Sequence, residues 1–340
     1  MALLWMDGFE GGGPTYLNNY LARRYGHTGA TVGTNAYPRA TGVGSASAVE
    51  LSGTYNYFAT PNLTTARTLI VGLHFRVLAG STNDVFSLRH PDASATAGIV
   101  INWYATTREL RVYRGGTLLG TTSTNGAFAS GRWHWIEVKV YCDDAAGTVE
   151  IRHGGRTVYT FTGDTRNHAT YNYYCAVSFG RGFAYDNLYV CDDTGANNNN
   201  FLGPVRITTS FPSAAGDAAE WDGSGVESHY TFVDDSPGAD DDVTYVESAV
   251  AGAKELWNYA DTSVTGTIHA VQMLTLARAT DALCVDITPL RKTGGVESDG
   301  EAVTASIDYA ELPNLMERQP GGAAWTAAAL NGYQFGVKVG

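Results

Sequence analysis

Residues 131–163, GRWHWIEVKVYCDDAAGTVEIRHGGRTVYTFTG, constrain the fold of this chain more than any other stretch. Trp133, Trp135, Glu137, Lys139 and Tyr141 alternate with His134, Ile136, Val138, Val140 and Cys142. A period of two over ten residues specifies a strand with two different faces. Asp143 to Gly147 supplies turn chemistry, and Thr148–His153 forms a second strand. Gly154-Gly155 accepts the positive φ of a tight hairpin turn, and Arg156–Phe161 returns as a third strand. The result is an antiparallel meander, so the first part of the chain is expected to be all-β.

The same alternation recurs upstream. In Arg67–Leu78, Leu69, Val71, Leu73, Phe75 and Val77 alternate with Thr68, Ile70, Gly72, His74 and Arg76. Shorter strands are expected near 48–51, 84–89, 98–104, 109–114 and 117–121, with a helical turn or two over Thr15–Tyr25. Strands separated by Gly- and Asn-rich turns point to two stacked antiparallel sheets. The 340 residues suffice for two domains. Residues 1–192 carry 15 basic and 13 acidic side chains, whereas 193–340 carry 7 and 21. That step in charge, with the TGANNNN tract at 194–200, divides the chain into 1–192, a linker at 193–200, and an acidic β-sandwich over 201–340. Strands in the second domain are expected at 205–209, 229–233, 244–248, 267–277, 284–290, 303–309 and 334–339. A short helix over 324–331 would be capped by Thr326 and ended by Asn331-Gly332.

The strand beginning at Trp133 and the hairpin after it resemble the concanavalin A-like (laminin-G-type) jelly-roll domain, with its G-x-W-h-x-h-E-h-x-h strand (h hydrophobic) and G-x-h-x-h…G hairpin. Leu3–Glu10 resembles that family's opening strand. Phe183–Val190 resembles its closing strand, which usually lies beside the first. The match spans residues 1–192. It implies an N-terminal jelly-roll sandwich followed by a smaller C-terminal β-sandwich. The wider layout, ending AWTAAALNGYQFGVKVG, resembles structural proteins of tailed double-stranded DNA phages.

Several function classes are disfavoured. The net charge of −12 opposes binding to a phosphate backbone, so no nucleic-acid partner is expected. No apolar run reaches 18 residues, and MALLWMDGFE lacks a basic n-region, so neither membrane insertion nor a secretory signal is expected. Cys142, Cys175, Cys191 and Cys284 stand at no zinc-site spacing and are expected as buried thiols, although a Cys175–Cys191 bridge stays open. Nucleophile-elbow, zinc-helix and phosphate-loop motifs are absent. The resembling family's glucan hydrolases carry E-x-D-x-E or E-x-D-x-x-E on one strand face. Here that spacing occurs only at Glu297-Ser298-Asp299-Gly300-Glu301, among turn glycines, and is expected to be a solvated loop. Glu137 has no carboxylate two or four residues away and is expected to be structural.

Two ligand chemistries stay open. Asp234, Asp235, Asp240, Asp241 and Asp242 crowd around Pro237-Gly238 and form either a calcium loop or a plain acidic loop; their spacing is not that of an EF-hand. Asp7 and Asp186 pose the same question if the first and last strands pair. Beyond calcium, no cofactor is expected. Aromatic clusters at Tyr55/Tyr57/Phe58, Trp103/Tyr104 and Tyr171/Tyr173/Tyr174 offer flat apolar faces with polar edges, suited to sugars, although half of any alternating set belongs to a core. Trp103, Tyr104, Tyr171, Tyr173 and Tyr174 are the carbohydrate-binding candidates.

The resemblance implies a non-enzymatic virion protein assembled in the host cytoplasm. It would be exposed as a tail-fibre, tail-tip or capsid-decoration component. Its partners would be other virion proteins and copies of itself, most naturally as a trimer, with host surface glycan as a further contact. A lectin-like adhesion module and a glycan hydrolase are the alternatives.

Overall fold

The computed structural model describes residues 2–10, 13–25, 48–51, 58–78, 80–92, 97–122, 126–235, 239–280 and 285–340. The chain divides into two compact units, Met1–Thr208 and Thr209–Gly340.

The first unit contains β1 (Leu3–Asp7), α1 (Gly13–Tyr25), β2 (Val49–Leu51), β3 (Phe58–Ala59), β4 (Thr68–Val77), β5 (Asn83–Arg89) and β6 (Ala97–Tyr104). It continues with β7 (Glu109–Arg114), β8 (Thr117–Thr121), β9 (Trp133–Tyr141), β10 (Gly147–His153), β11 (Arg156–Gly163), β12 (Ala176–Phe179) and β13 (Phe183–Cys191). The first sheet runs β1-β13-β4-β9-β10-β11, with β2 sharing the β1 edge of β13. The second runs β3-β12-β5-β6-β7-β8. Opening and closing strands pair antiparallel from Leu3↔Cys191 to Asp7↔Leu188. This is the two-sheet sandwich that the alternation implied, in keeping with the jelly roll that the resemblance implied.

Strand parity builds the core. Leu69, Val71, Leu73, Phe75 and Val77 of β4 and Ile136, Val138 and Val140 of β9 face inward. They meet Ile99, Ile101 and Trp103 of β6 and Leu110 and Val112 of β7 in one buried cluster. The β10–β11 hairpin turns on Gly154 and Gly155, at φ +55° and +81°, a region side chains resist. Helix α1 adds Tyr20, Leu21 and Tyr25 to the same cluster. Buried Asp7 anchors it: one oxygen accepts from Phe9 N and Tyr20 OH at 2.7 and 2.6 Å, the other from Tyr25 OH at 2.6 Å, with Arg24 alongside at 3.4 Å. Asp7 is thus saturated by protein donors, which fits a turn and anchor role better than a calcium ligand.

The outer face of the first sheet is strapped. Residues 201–207, expected to open the second domain, lie instead against β9, β10 and β13. Glu137 accepts from Gly203 N at 2.8 Å and from Tyr189 OH at 2.6 Å. Tyr189 OH accepts from Leu202 N, Asn187 Oδ1 accepts from Ile207 N, and the Arg152 guanidinium sits 4.0 Å from the Phe201 ring centroid. No strand forms over 205–209; these backbone donors are satisfied by side chains of the sheet.

The second unit contains β14 (Pro212–Ala219), β15 (Asp222–Gly223), β16 (Val246–Glu247), β17 (Lys254–Tyr259), β18 (Val271–Ala277) and β19 (Asp286–Thr293). It ends with β20 (Val296–Asp299), β21 (Val303–Thr304), β22 (Ala310–Met316), α2 (Ala327–Leu330) and β23 (Tyr333–Val339). A sheet β14-β17-β23-β19-β20, with β21 on β19, carries the β18–β22 ribbon on one face. Trp257, Ile287 and Val337 of the sheet and Leu312 of the ribbon share one core, and Met316, Tyr333 and Phe335 a second. The expected strand at 229–233 is a 3-10 turn, His229–Phe232. Conversely, Glu297 and Asp299 lie on strand β20 rather than in a loop, and their carboxylates pair with Lys254 and Lys338.

Candidate functional site

The solvent side of the second sheet is built by the residues that alternate with its core positions. In β6, Ile99, Ile101 and Trp103 point inward, leaving Asn102 and Tyr104 outside; in β7, Leu110 and Val112 point inward, leaving Glu109, Arg111 and Tyr113. Cross-strand register sets Asp84, Asn102 and Arg111 side by side, and Tyr104 opposite Glu109. Asn102 Nδ2 donates to Asp84 Oδ1 at 2.8 Å, while Asn102 Oδ1 has no hydrogen-bond partner. The Arg111 guanidinium lies 3.2 Å from the Tyr104 ring centroid, donates to Glu109 at 3.2 Å and hydrogen-bonds Tyr113. The face thus offers flat rings, a held cation and carboxylates. That mixture suits polyhydroxylated rings, which need stacking and directed hydrogen bonds together.

At the end of this face lies a cavity of about 170 Å³ lined by Thr60, Asn62, Arg89, His90, Asp92 and Ala176. His90 follows β5 and is 2 % exposed. Its Nδ1 lies 2.8 Å from the Tyr173 carbonyl, and its ring packs on Tyr174 and His168 with centroids 4.6 and 5.3 Å away. Burial lowers the His90 pKa, holding the ring neutral. Tyr171 and Tyr173 form the neighbouring rim, half-buried, edge to face at 5.9 Å.

The five sequence candidates therefore separate. Tyr104 stands on the outer face, and Tyr171 and Tyr173 on the rim. Trp103 and Tyr174 do not reach solvent. Trp103 is 1 % exposed and its indole donates to Phe128 O at 2.9 Å. Tyr174 is fully buried beneath Gly98, donating to Thr165 O, and burial pushes its pKa far up. Both are corrected to core residues. Phe58 is likewise core, while Tyr55 and Tyr57 fall outside the described residues. Arg111, Tyr113, Asn102 and His90 were missed. The E-L-R-V-Y alternation at 109–113 held the signal for the β7 pair, because the parity that buries Leu110 exposes its neighbours.

The acidic loop is not assembled as a cation cage. Asp242 accepts from Arg278 and Tyr309 at 2.8 and 2.9 Å, and Asp240 from Thr244. Burial, with Asp240 nearby, raises Asp235 to about 6. Among the described residues no group of three or more His, Cys, Asp or Glu is placed to hold a metal ion. Of the calcium candidates Asp234, Asp235, Asp240, Asp241 and Asp242, the structure thus engages Asp240 and Asp242 with protein donors and does not gather three of the five at one point. Cys142, Cys175 and Cys191 are buried thiols, and Cys175 donates to Asn62 Oδ1 at 3.0 Å. No described helix is long and apolar enough to cross a membrane.

No protein-family model and no curated protein matches the chain. Solved structures similar to it include an alginate lyase (12% identity, 43% of this chain, 81% of that chain, TM-score 0.35). A galectin from Caenorhabditis elegans is also similar (12%, 42% and 93%, TM-score 0.29). So is an endo-beta-1,4-glucuronan lyase from the fungus Trichoderma reesei (15%, 46% and 84%, TM-score 0.29). Sialidases are also matched. These lyases and sialidases correct the expectation of a non-enzymatic chain, which had rested on the resemblance to virion proteins and on missing motifs. At such identities and TM-scores the likeness assigns no activity. No finding speaks to a phage origin. By their descriptions the similar structures are polysaccharide lyases, sialidases and a galectin.

Proposed function

We propose that this protein recognises carbohydrate through the outer face of its second sheet. The observation that supports the reading is the Tyr104–Arg111 stack, flanked by Tyr113, Glu109 and the Asp84–Asn102 pair on a half-exposed face. Tyr104 and Tyr113 supply ring faces, and Glu109 and Asp84 supply acceptors. Rim residues Tyr171 and Tyr173 extend the surface. An extended glycan crossing β5, β6 and β7 would meet these groups in succession.

The setting proposed for this recognition is the outside of a tailed-phage particle, as an oligomer of identical chains contacting host surface glycan. That setting rests on the resemblance of the chain's layout to virion proteins. Mass spectrometry of purified particles tests it, and absence from particles removes it.

Binding itself is tested on a glycan array followed by calorimetry with the best oligosaccharide. Tyr104→Ala and Arg111→Ala should each weaken binding at least tenfold, about 1.4 kcal/mol, with the thermal midpoint little changed because both side chains are partly solvated. Unchanged affinity in both variants, or no oligosaccharide bound by the parent, would sink the proposal.

A further inference from the structure

The outer face of the second sheet carries more carboxylate than cation. Asp84 is exposed; its Oδ1 accepts from Asn102, and its Oδ2 meets no donor among the described residues. Glu109 stands two residues from Arg111 on the same face of β7, and its Oε1 accepts from Arg111 Nε at 3.2 Å. Arg111 is thus matched by Glu109 and held flat over Tyr104. Register places Asp84 and Arg111 on either side of Asn102, so the row holds two carboxylates against one guanidinium. Cations around the row do not redress the balance. Arg114 pairs with Asp164 and Arg166 with Asp144. Arg89 lines the end cavity together with Asp92. Arg108 is exposed in the β6–β7 turn, beyond the last cross-strand pair Tyr104↔Glu109.

This balance discriminates between sugars. An ionised carboxylate can only accept hydrogen bonds, so Asp84 Oδ2 asks its ligand for a donor. Every hydroxyl of a neutral hexose can donate. The carboxylate of a uronic or sialic acid cannot, and it brings a like charge beside Asp84 while the guanidinium it needs is already paired. Like charges set together at a binding surface suppress the wrong partner more than they strengthen the right one. We infer that this face selects uncharged glycans and turns away those whose units carry a carboxylate. The inference rests on the carbohydrate reading above and adds to it the class of substrate.

The test is calorimetry on the full-length protein with linear tetrasaccharides of glucose, galactose and mannose and with those of the three matching uronates. At least one neutral oligomer should bind at least tenfold more tightly than its uronate at 0.1 M salt. Raising the salt to 1 M shortens the screening length from about 10 Å to about 3 Å, and should narrow that ratio at least threefold. Asp84→Asn and Glu109→Gln each remove one charge but keep a carbonyl for Asn102 or Arg111. Each should also narrow the ratio at least threefold, whatever it does to either affinity alone. A uronate bound as tightly as its neutral counterpart, with binding still weakened by Tyr104→Ala, would overturn the selectivity and spare the face as the glycan site. A neutral preference that neither salt nor the two charge variants alter would overturn it too, because shape would then be discriminating. Binding that ignores both Tyr104→Ala and Arg111→Ala would instead overturn the carbohydrate reading of this face. Binding of none of the six oligomers would remove the selectivity, while the glycan array decides the wider reading separately.

Discussion

Glu137 has no accessible surface, yet only one of its oxygens is engaged: Oε1 accepts from Tyr189 OH and Gly203 N, while Oε2 has no partner. A glutamine can reproduce the two accepted bonds through its carbonyl oxygen. Glu137→Gln should therefore change stability by less than about 1 kcal/mol, whereas Glu137→Ala, which orphans two donors, should cost about 2–4 kcal/mol. Paired denaturant titrations check this; equal losses in both variants would mean that the charge itself holds the strap. The structural role of Glu137 was legible in the sequence because no second carboxylate stood near it on its strand. Choosing between Trp103 and Tyr104 was harder. Ile99, Val100 and Ile101 are all apolar, so both faces of β6 look buried until Asn102 breaks the run. Only register against β7 decides that Trp103 goes in and Tyr104 out. His90 gave no signal at all, because its role comes from a carbonyl 83 residues away.

At the scale of elements, legibility followed the strength of alternation. The strands β4, β9, β10 and β11 were readable because each buries one face of a large core, and parity then has one low-energy solution. Helix α2 was readable from its cap, and Thr326 indeed accepts from Ala329 N at 3.1 Å. In the second unit, β14 (PSAAGDAA), β20 (VESD) and β22 (AELPNLM) have no clean period. They are held by neighbours and by ion pairs such as Lys292–Asp217 rather than by a buried stripe. The register of β13 against β4 supplies a prediction. The Tyr189 ring lies over Gly72, where an added Cβ would stand 2.1 Å from Cε1. Tyr189 cannot swing aside without releasing Glu137 and Leu202 N. Gly72→Ala should thus cost about 1–3 kcal/mol, as overpacking does. It should also speed hydrogen exchange at Leu202 and Gly203 while β9 amides stay protected. Unchanged exchange at those two amides would show that the ring and the strap are not coupled.

For the whole molecule, the two units should answer acid in opposite directions. In the first unit, burial lowers the pKa of His74 to about 4 and also lowers those of His90, His134 and His153. Their unfolded values lie near 6.5. Between those limits the unfolded chain binds more protons, so stability is full above about pH 6.5 and is lost as pH falls. In the second unit, burial raises Asp235 to about 6 and also raises Glu255. There the folded chain binds more protons, so stability grows as pH falls from about 6 toward the unfolded carboxylate values. His269, lowered by burial, offsets part of that gain. Residues 193–340 also hold 21 of the 34 acids, and protonation relieves their mutual repulsion. Calorimetry between pH 7.5 and 5 should show two transitions, because each unit has its own core. The transition whose pH slope changes in His74→Phe is assigned to the first unit. That transition should move down in temperature with acid, while the other holds or rises. A ceiling of about 1.4 kcal/mol per pKa unit per group bounds the effect, and partial solvent access reduces it. If both transitions fell together, the raised Asp235 and Glu255 would not be what sets the acid response of the second unit. If instead the first unit's transition held or rose, its buried histidines would not be what sets its acid response.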